Sequence, residues 1–269
     1  MSEEQNYWAE SIQVLEWLEP VRKRPWMYIG STDERWLHHL VWEIVDNSID
    51  EAMAGHCDTI SLTLWNDGSC TVEDNGRWIP TAVHPKTGKS SLETILTVLH
   101  AWGKFGWGGY KVSGWLHWVW SSVVNALSTR MEAVVHREGK IFFQAFNRWV
   151  TEADIQVIGK SDKTWTIIKF WPDAEIFKQT TVFSYKTIIN RLRQQAYLTK
   201  GITLIVHDER SGERYKFYFE WGIKSYVNFL NKNEETLWDV FYVEKEKMIF
   251  LLKLHFNLIK NFQTILFHL

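Results

Sequence analysis

The chain has 269 residues, 45% of them hydrophobic, enough to bury a full core and hold one large domain plus part of another. Lys and Arg total 30 against 32 Asp and Glu, which excludes a polybasic surface able to grip nucleic acid unaided. Cys57 and Cys70 lack metal-ligand spacing and are too few for a disulfide framework, and the opening MSEEQNYWAES is polar and acidic, unlike a signal peptide; an intracellular, cytoplasmic setting is expected.

In chain order, Ser11 to Leu18 reads as a short helix ending near Pro20, and Val21 to Pro25 leads through Met27-Tyr28-Ile29-Gly30 into a loop. The stretch from Leu37 to Gly55 predicts an amphipathic helix, with Leu40, Val41, Ile44, Val45, Ile49 and Met53 recurring at three- and four-residue steps. Glu43, Asn47 and Glu51 are four apart and share a second face. Taken alone, that face fits solvent. It also fits nucleotide hydrolysis, in which a carboxylate polarises water and an amide oxygen serves a hydrated Mg²⁺. Ile60 to Leu64 and Ser69 to Glu73 alternate as a hairpin around Asn66-Asp67-Gly68, and Asp74-Asn75-Gly76-Arg77-Trp78-Ile79-Pro80 is a turn at a strand end. Ser91 to His100 reads as helix, Ala101 to Trp120 as a long Gly/Trp-rich loop, and Ser121 to Leu127 as helix. Strands follow at Glu132 to His136, Ile141 to Phe146 and Thr166 to Phe170, then a helix at Tyr185 to Gln194 and strands at Thr203 to Val206 and Tyr215 to Glu220. Mixed order with clumped helices argues an α+β two-layer sandwich rather than a doubly wound sheet.

Three signals stand in order: Glu43-x-x-x-Asn47, the AspAsnGlyArg run at 74 to 77, and the Gly-rich run ending SerGlyTrpLeuHisTrpValTrp at 113 to 120. A long Gly-rich loop feeding a helix brings backbone amides to phosphates. At these spacings the three resemble the ATPase domain of bacterial DNA gyrase B, in the GHKL (Bergerat) superfamily shared with a heat-shock chaperone, histidine kinases and mismatch-repair ATPases. The resemblance runs from about Tyr7 to Lys247 and includes ValArgLysArgPro, TyrIleGlySerThr, TyrLysValSerGly and PheTrpProAsp. It implies ATP and Mg²⁺ as cofactors. Glu43 would be the general base that orients water, and Asn47 the Mg²⁺ ligand. Asp74 would accept from the adenine amino group with support from Thr166. Arg77 would stack over the adenine and pair with Glu51, while Ile79 and Pro80 wall the base. Lys104, Tyr110, Leu116, His117 and Val119 would belong to the lid over the phosphates. Tyr7 and Ile12 would lie in an arm that reaches into a second copy when ATP dimerises the domain. The resemblance further implies the gyrase A protein and, through the complete complex, DNA as partners, with no membrane.

Trp is abnormal: seventeen residues against fifteen Gly, many of them in turn settings such as Gly106-Trp107-Gly108. Trp8, Trp17, Trp26, Trp36, Trp78, Trp102, Trp107, Trp115, Trp118, Trp120, Trp149, Trp165 and Trp221 stand where the family has Gly. Selective replacement of one residue type is unlike drift. It implies UGA codons that the organism reads as Gly and the translation reads as Trp. Trp42 and Trp171 fall where the family accepts aromatics; Trp65 and Trp238 fit neither case. Literal Trp at 115, 118 and 120 would keep a backbone from approaching a triphosphate, so no ATPase is expected of such a chain.

After Lys247 the family pattern stops. A/T-rich back-translation of residues 248–269, read one base earlier, restores a strand-like string, which implies a frameshift. Read literally the tail is apolar, but Lys253, His255, Asn257, Lys260 and Asn261 argue against a membrane span. The expected organisation is a GHKL ATPase domain with its N-terminal arm over 1–220, the start of a transducer domain over 221–247, and the frameshifted tail. Competing readings are the corresponding ATPase part of topoisomerase IV and a catalytically dead dimerisation or scaffold module.

Overall fold

The structure is a computed structural model that describes residues 18–77, 79–99, 120–232, 241–247 and 250–256, the last two spans as backbone only. The elements in chain order are α1 (Glu19–Lys23), α2 (Trp26–Ile29), α3 (Glu34–Met53), β1 (Thr59–Leu64), β2 (Cys70–Asp74), α4 (Ser91–Thr97), α5 (Trp120–Ala126), β3 (Ser128–Arg137), β4 (Lys140–Asn147), β5 (Val150–Thr151), β6 (Gln156–Lys160), β7 (Trp165–Pro172), α6 (Tyr185–Leu198), β8 (Thr203–Asp208), β9 (Glu213–Tyr218), α7 (Ile223–Leu230), β10 (Phe241–Lys247) and β11 (Phe250–Phe256).

A nine-stranded sheet runs β5-β4-β3-β7-β2-β1-β8-β9, with β6 on β4. Its pairings are antiparallel except for β1 on β8. β1, β7 and β8 alternate strictly between half-buried and buried positions, so one face is covered more deeply than the other. Helices supply that cover: α3 packs on β1 and β2, α5 on β3, and α6 on β8 and β9. The architecture is the α+β two-layer sandwich that the element order predicts.

α3 forms where the apolar stripe predicts it, and Leu37, Leu40, Val41, Ile44, Val45 and Ile49 enter the core. Met53 does not. It sits in the last turn and is 58% exposed. Asp33 caps the helix by accepting the Trp36 amide at 3.2 Å, and Ser90 caps α4 by accepting the Glu93 amide at 3.0 Å.

Several boundaries differ from the sequence expectation. Pro20 lies in the first turn of α1, as suits a ring with no N–H to donate there, while the helix expected over Ser11 to Leu18 lies, but for Leu18, outside the described residues. Trp26 to Ile29 form a short helix on the way into the loop, where the sequence pattern marks no element. β5, β6 and α7 are additional elements: β5 has two residues, β6 is mostly exposed, and α7 buries Ile223 and Val227. The backbone of residues 250–256 pairs with 241–247 as an antiparallel hairpin.

Candidate functional site

The site grows from the C-terminal half of α3 and the end of β2. Cys70, Val72 and Asp74 point to the helix-covered face of β2, which carries Asp74 under α3. There the Ser48 hydroxyl donates to Asp74 Oδ2 at 2.7 Å, and the Gly76 amide donates to Oδ1 at 2.9 Å. Both oxygens are thus oriented on a carboxylate that is 1% exposed. Thr166 is the direct register partner of Asp74 across β2 and β7. Its buried hydroxyl has no hydrogen-bond partner in the protein, as expected of a group that serves a ligand or a water.

Gly76 is obligatory by close approach. A Cβ there would lie 2.8 Å from Asp74 Oδ1 and 3.2 Å from Glu51 Cγ. Asn75 anchors the turn, its side-chain oxygen accepting the amides of Asp58 and Thr59 at 3.0 and 3.1 Å. Arg137, from the end of β3, donates to the carbonyls of Arg77 at 2.6 Å and Ile79 at 3.4 Å. The turn is therefore held from both sides. Ile79 is fully buried and Pro80 half-buried beside it.

Glu51 is also buried, and it meets Arg77 through the backbone: the Arg77 amide donates to Glu51 Oε2 at 3.2 Å. The Arg77 guanidinium, expected against Glu51, instead contacts His56 Nε2. One turn before Glu51, Asn47 is fully buried, and its Nδ2 donates to Ser121 Oγ on α5 at 2.8 Å. Asn47 Oδ1 is buried without a protein partner. An orphaned amide oxygen in this position suits a hard cation that keeps most of its ligands from water and phosphate. Glu43, half-buried, lies one turn further toward the start of α3.

Asn47, Glu51, Asp74, Ile79, Pro80 and Thr166 are thus gathered around α3 and the turn after β2. Tyr7, Ile12, Lys104, Tyr110, Leu116, His117, Val119 and Trp78 lie outside the described residues. Ser48, Ser121 and Arg137 are positioned in the site without being singled out by sequence; an alternating polar residue beside Asn47 was the one available signal for Ser48. Among the described residues there is no cluster of three or more His, Cys, Asp or Glu able to hold a metal by itself. An open hollow of about 400 Å³ is lined by Asn75, Cys57 and Lys200 among others. Burial pushes the Cys57 thiol up to about 12, which leaves it inert. No helix among the described residues is long and apolar enough to cross a membrane.

Comparison with known proteins follows the same residues. Residues 32–175 match the family described as histidine kinase-, DNA gyrase B- and HSP90-like ATPase. The DNA gyrase B protein of Halalkalibacterium halodurans is 57% identical over 247 residues, covering 91% of this chain and 39% of that protein. The Staphylococcus aureus gyrase B protein is 55% identical over 237 residues, covering 87% of this chain and 37% of that protein. The chain therefore spans about two fifths of the length of these relatives. The crystal structure of the 43K ATPase domain of Thermus thermophilus gyrase B, in complex with an aminocoumarin, superposes with a TM-score of 0.80 at 38% identity, covering 90% of this chain and 62% of that one. With the family match spanning residues 32–175, more than half of its length, the chain belongs to the histidine kinase-, DNA gyrase B- and HSP90-like ATPases.

Proposed function

We propose that this chain is the ATP-binding and hydrolysing part of a type II DNA topoisomerase of the gyrase B kind, working in the cytoplasm. The observation that carries the reading is the pairing of Asp74, fixed by Ser48 and Gly76, with Asn47, whose amide oxygen is left buried and open. Asp74 would accept from the exocyclic amine of a purine, and the Thr166 hydroxyl would support that contact. Asn47 would hold Mg²⁺, which neutralises phosphate charge when bound. Glu43 would hold and deprotonate the attacking water. Ile79 and Pro80 would wall the base on a turn that Arg137 keeps rigid. Lys104, Tyr110, Leu116, His117 and Val119 would form the lid, and Tyr7 the arm to a second copy, so ATP binding would dimerise the domain. The gyrase A protein and DNA enter as partners of the complete complex, and the residues from 221 onward as the start of a transducer.

The Trp residues bear directly on this reading. In the loop Asn147-Arg148-Trp149-Val150 both central residues have positive φ, 45° and 68°, in a two-residue hairpin where Gly is the usual second residue. That geometry favours Gly-decoded UGA at 149. The test is an equilibrium titration of an ATP analogue with Mg²⁺ against two proteins: the Trp-bearing chain, and one with Gly at the family-Gly positions. The second should bind and dimerise, and the first should do neither. Absence of binding by the glycine form would end the nucleotide assignment. Tight binding by the Trp-bearing chain would instead end the decoding argument, and TGG codons at those positions would do the same.

A further inference from the structure

We propose that Ser121 is a positioning residue for Asn47, holding the amide so that its oxygen faces a divalent cation; this rests on the nucleotide reading above. Both side chains are fully buried, and they meet across two helices, α3 and α5, at 2.8 Å. The contact is long-range in sequence, so it exists only once the two helices have docked.

An amide is two-ended. Its oxygen can ligate a hard cation and its amine cannot. For Asn47 to present Oδ1, its amine must turn to the other side, into protein that excludes water. A buried N–H₂ with no acceptor is costly, and that cost would fall wholly on the cation-competent orientation. Ser121 Oγ is the acceptor for Nδ2, while Oδ1 finds no protein partner. A hydroxyl can also donate, so Ser121 alone permits either orientation; a cation on the open side makes the amine-to-Ser121 arrangement the one in which both ends of the amide are satisfied. Alanine at 121 would fill nearly the same space and offer no acceptor, leaving the amine orphaned whenever the oxygen faces the cation. Second-layer partners of this kind typically change metal affinity by about 10- to 100-fold.

The test has two readouts on the 269-residue chain. In protein labelled with ¹⁵N-asparagine, one Asn47 Nδ2 proton should be protected from solvent exchange; Ser121→Ala should abolish the protection and Ser121→Thr, which keeps a hydroxyl, should retain it. Equal exchange in the parent and the alanine variant would overturn the proposal. In the form with Gly at the family-Gly positions, Mn²⁺ half-saturation in the presence of an ATP analogue, followed by electron paramagnetic resonance, should rise about tenfold in Ser121→Ala and return in Ser121→Thr. Metal-free analogue affinity should stay level in both, whereas a merely structural role would lower it too. An unchanged Mn²⁺ midpoint also overturns the proposal. If the parent binds no analogue at all, the nucleotide reading fails, and the exchange result still decides whether Ser121 orients Asn47.

Discussion

Ser48 and Asp74 are bonded across the α3–β2 contact at 2.7 Å, a helix hydroxyl holding the strand-end carboxylate in a fixed rotamer. Because Gly76 engages the other oxygen, Asp74 is oriented before any ligand arrives. Asp74→Asn removes the charge and sets an amide donor against a hydroxyl or a backbone N–H. ATP-analogue affinity should fall by about 10- to 100-fold, the range for losing a charge-assisted hydrogen bond, as read by calorimetric titration. Gly76→Ala should weaken binding in the same direction by displacing Asp74 Oδ1, which a new Cβ would approach to 2.8 Å.

In the proposed mechanism Glu43 differs from these, since it would act on water rather than on the nucleotide base. Glu43→Gln should leave analogue affinity within a few-fold and reduce turnover by about 10²- to 10⁴-fold. A phosphate-release assay on the glycine form checks it. Equal loss of binding and turnover would assign Glu43 to nucleotide contact instead.

Trp65 and Trp149 should respond unequally to glycine. The Trp65 indole donates to Thr71 Oγ1 at 2.7 Å, and the Lys169 ammonium lies 5.0 Å from its ring and 4.6 Å from that of Trp171. Removing it has no compensating gain, so Trp65→Gly should cost about 1–3 kcal/mol. Trp149 sits at φ 68°, where a non-Gly residue costs about 1–2 kcal/mol. Relief of that strain offsets the lost packing of its half-buried ring, and Trp149→Gly should change stability by less than about 1 kcal/mol. Urea unfolding of the two variants separates them.

Asp173 should set part of the acid limit of the fold. Burial pushes its carboxyl up, but the Glu175 backbone N–H, the Arg22 guanidinium at 2.6 Å and Arg148 at 3.1 Å more than reverse this and hold it below the usual 3.8. A carboxyl lowered on folding stabilises the protein above its unfolded value and loses that contribution as pH falls through the folded one. Stability should therefore decline below about pH 4, more steeply in the parent than in Asp173→Asn, when denaturation midpoints are compared from pH 6 to 3.

α3 and the turn at Asp74 were legible because local pattern carries them: a stripe of Leu, Val and Ile, polar residues every fourth position, and Gly after Asn. The residues that orient the site were not. Ser48, Ser121 and Arg137 act on partners 26, 74, and 58 or 60 positions away, through contacts that only the packed sheet and helices create. Arg77 shows the same limit, since its motif gives no reason for the guanidinium to meet His56 while its amide takes Glu51. α7 was missed because Ile223 and Val227 are its only buried residues, too few to mark a face.

The parallel pairing of β1 with β8 joins Thr59 to Thr203. During synthesis, roughly 7–30 s separate these two residues at ordinary ribosomal rates. Throughout that interval the outer edge of β1 waits open, next to the strand that ends at Asp74, and offers its amides and carbonyls to any passing chain. Closing so long a loop is entropically expensive and slow. The turn at Asp74 is thus drafted early but braced late, and a nascent chain stalled before Asp208 would be a candidate for aggregation or chaperone capture.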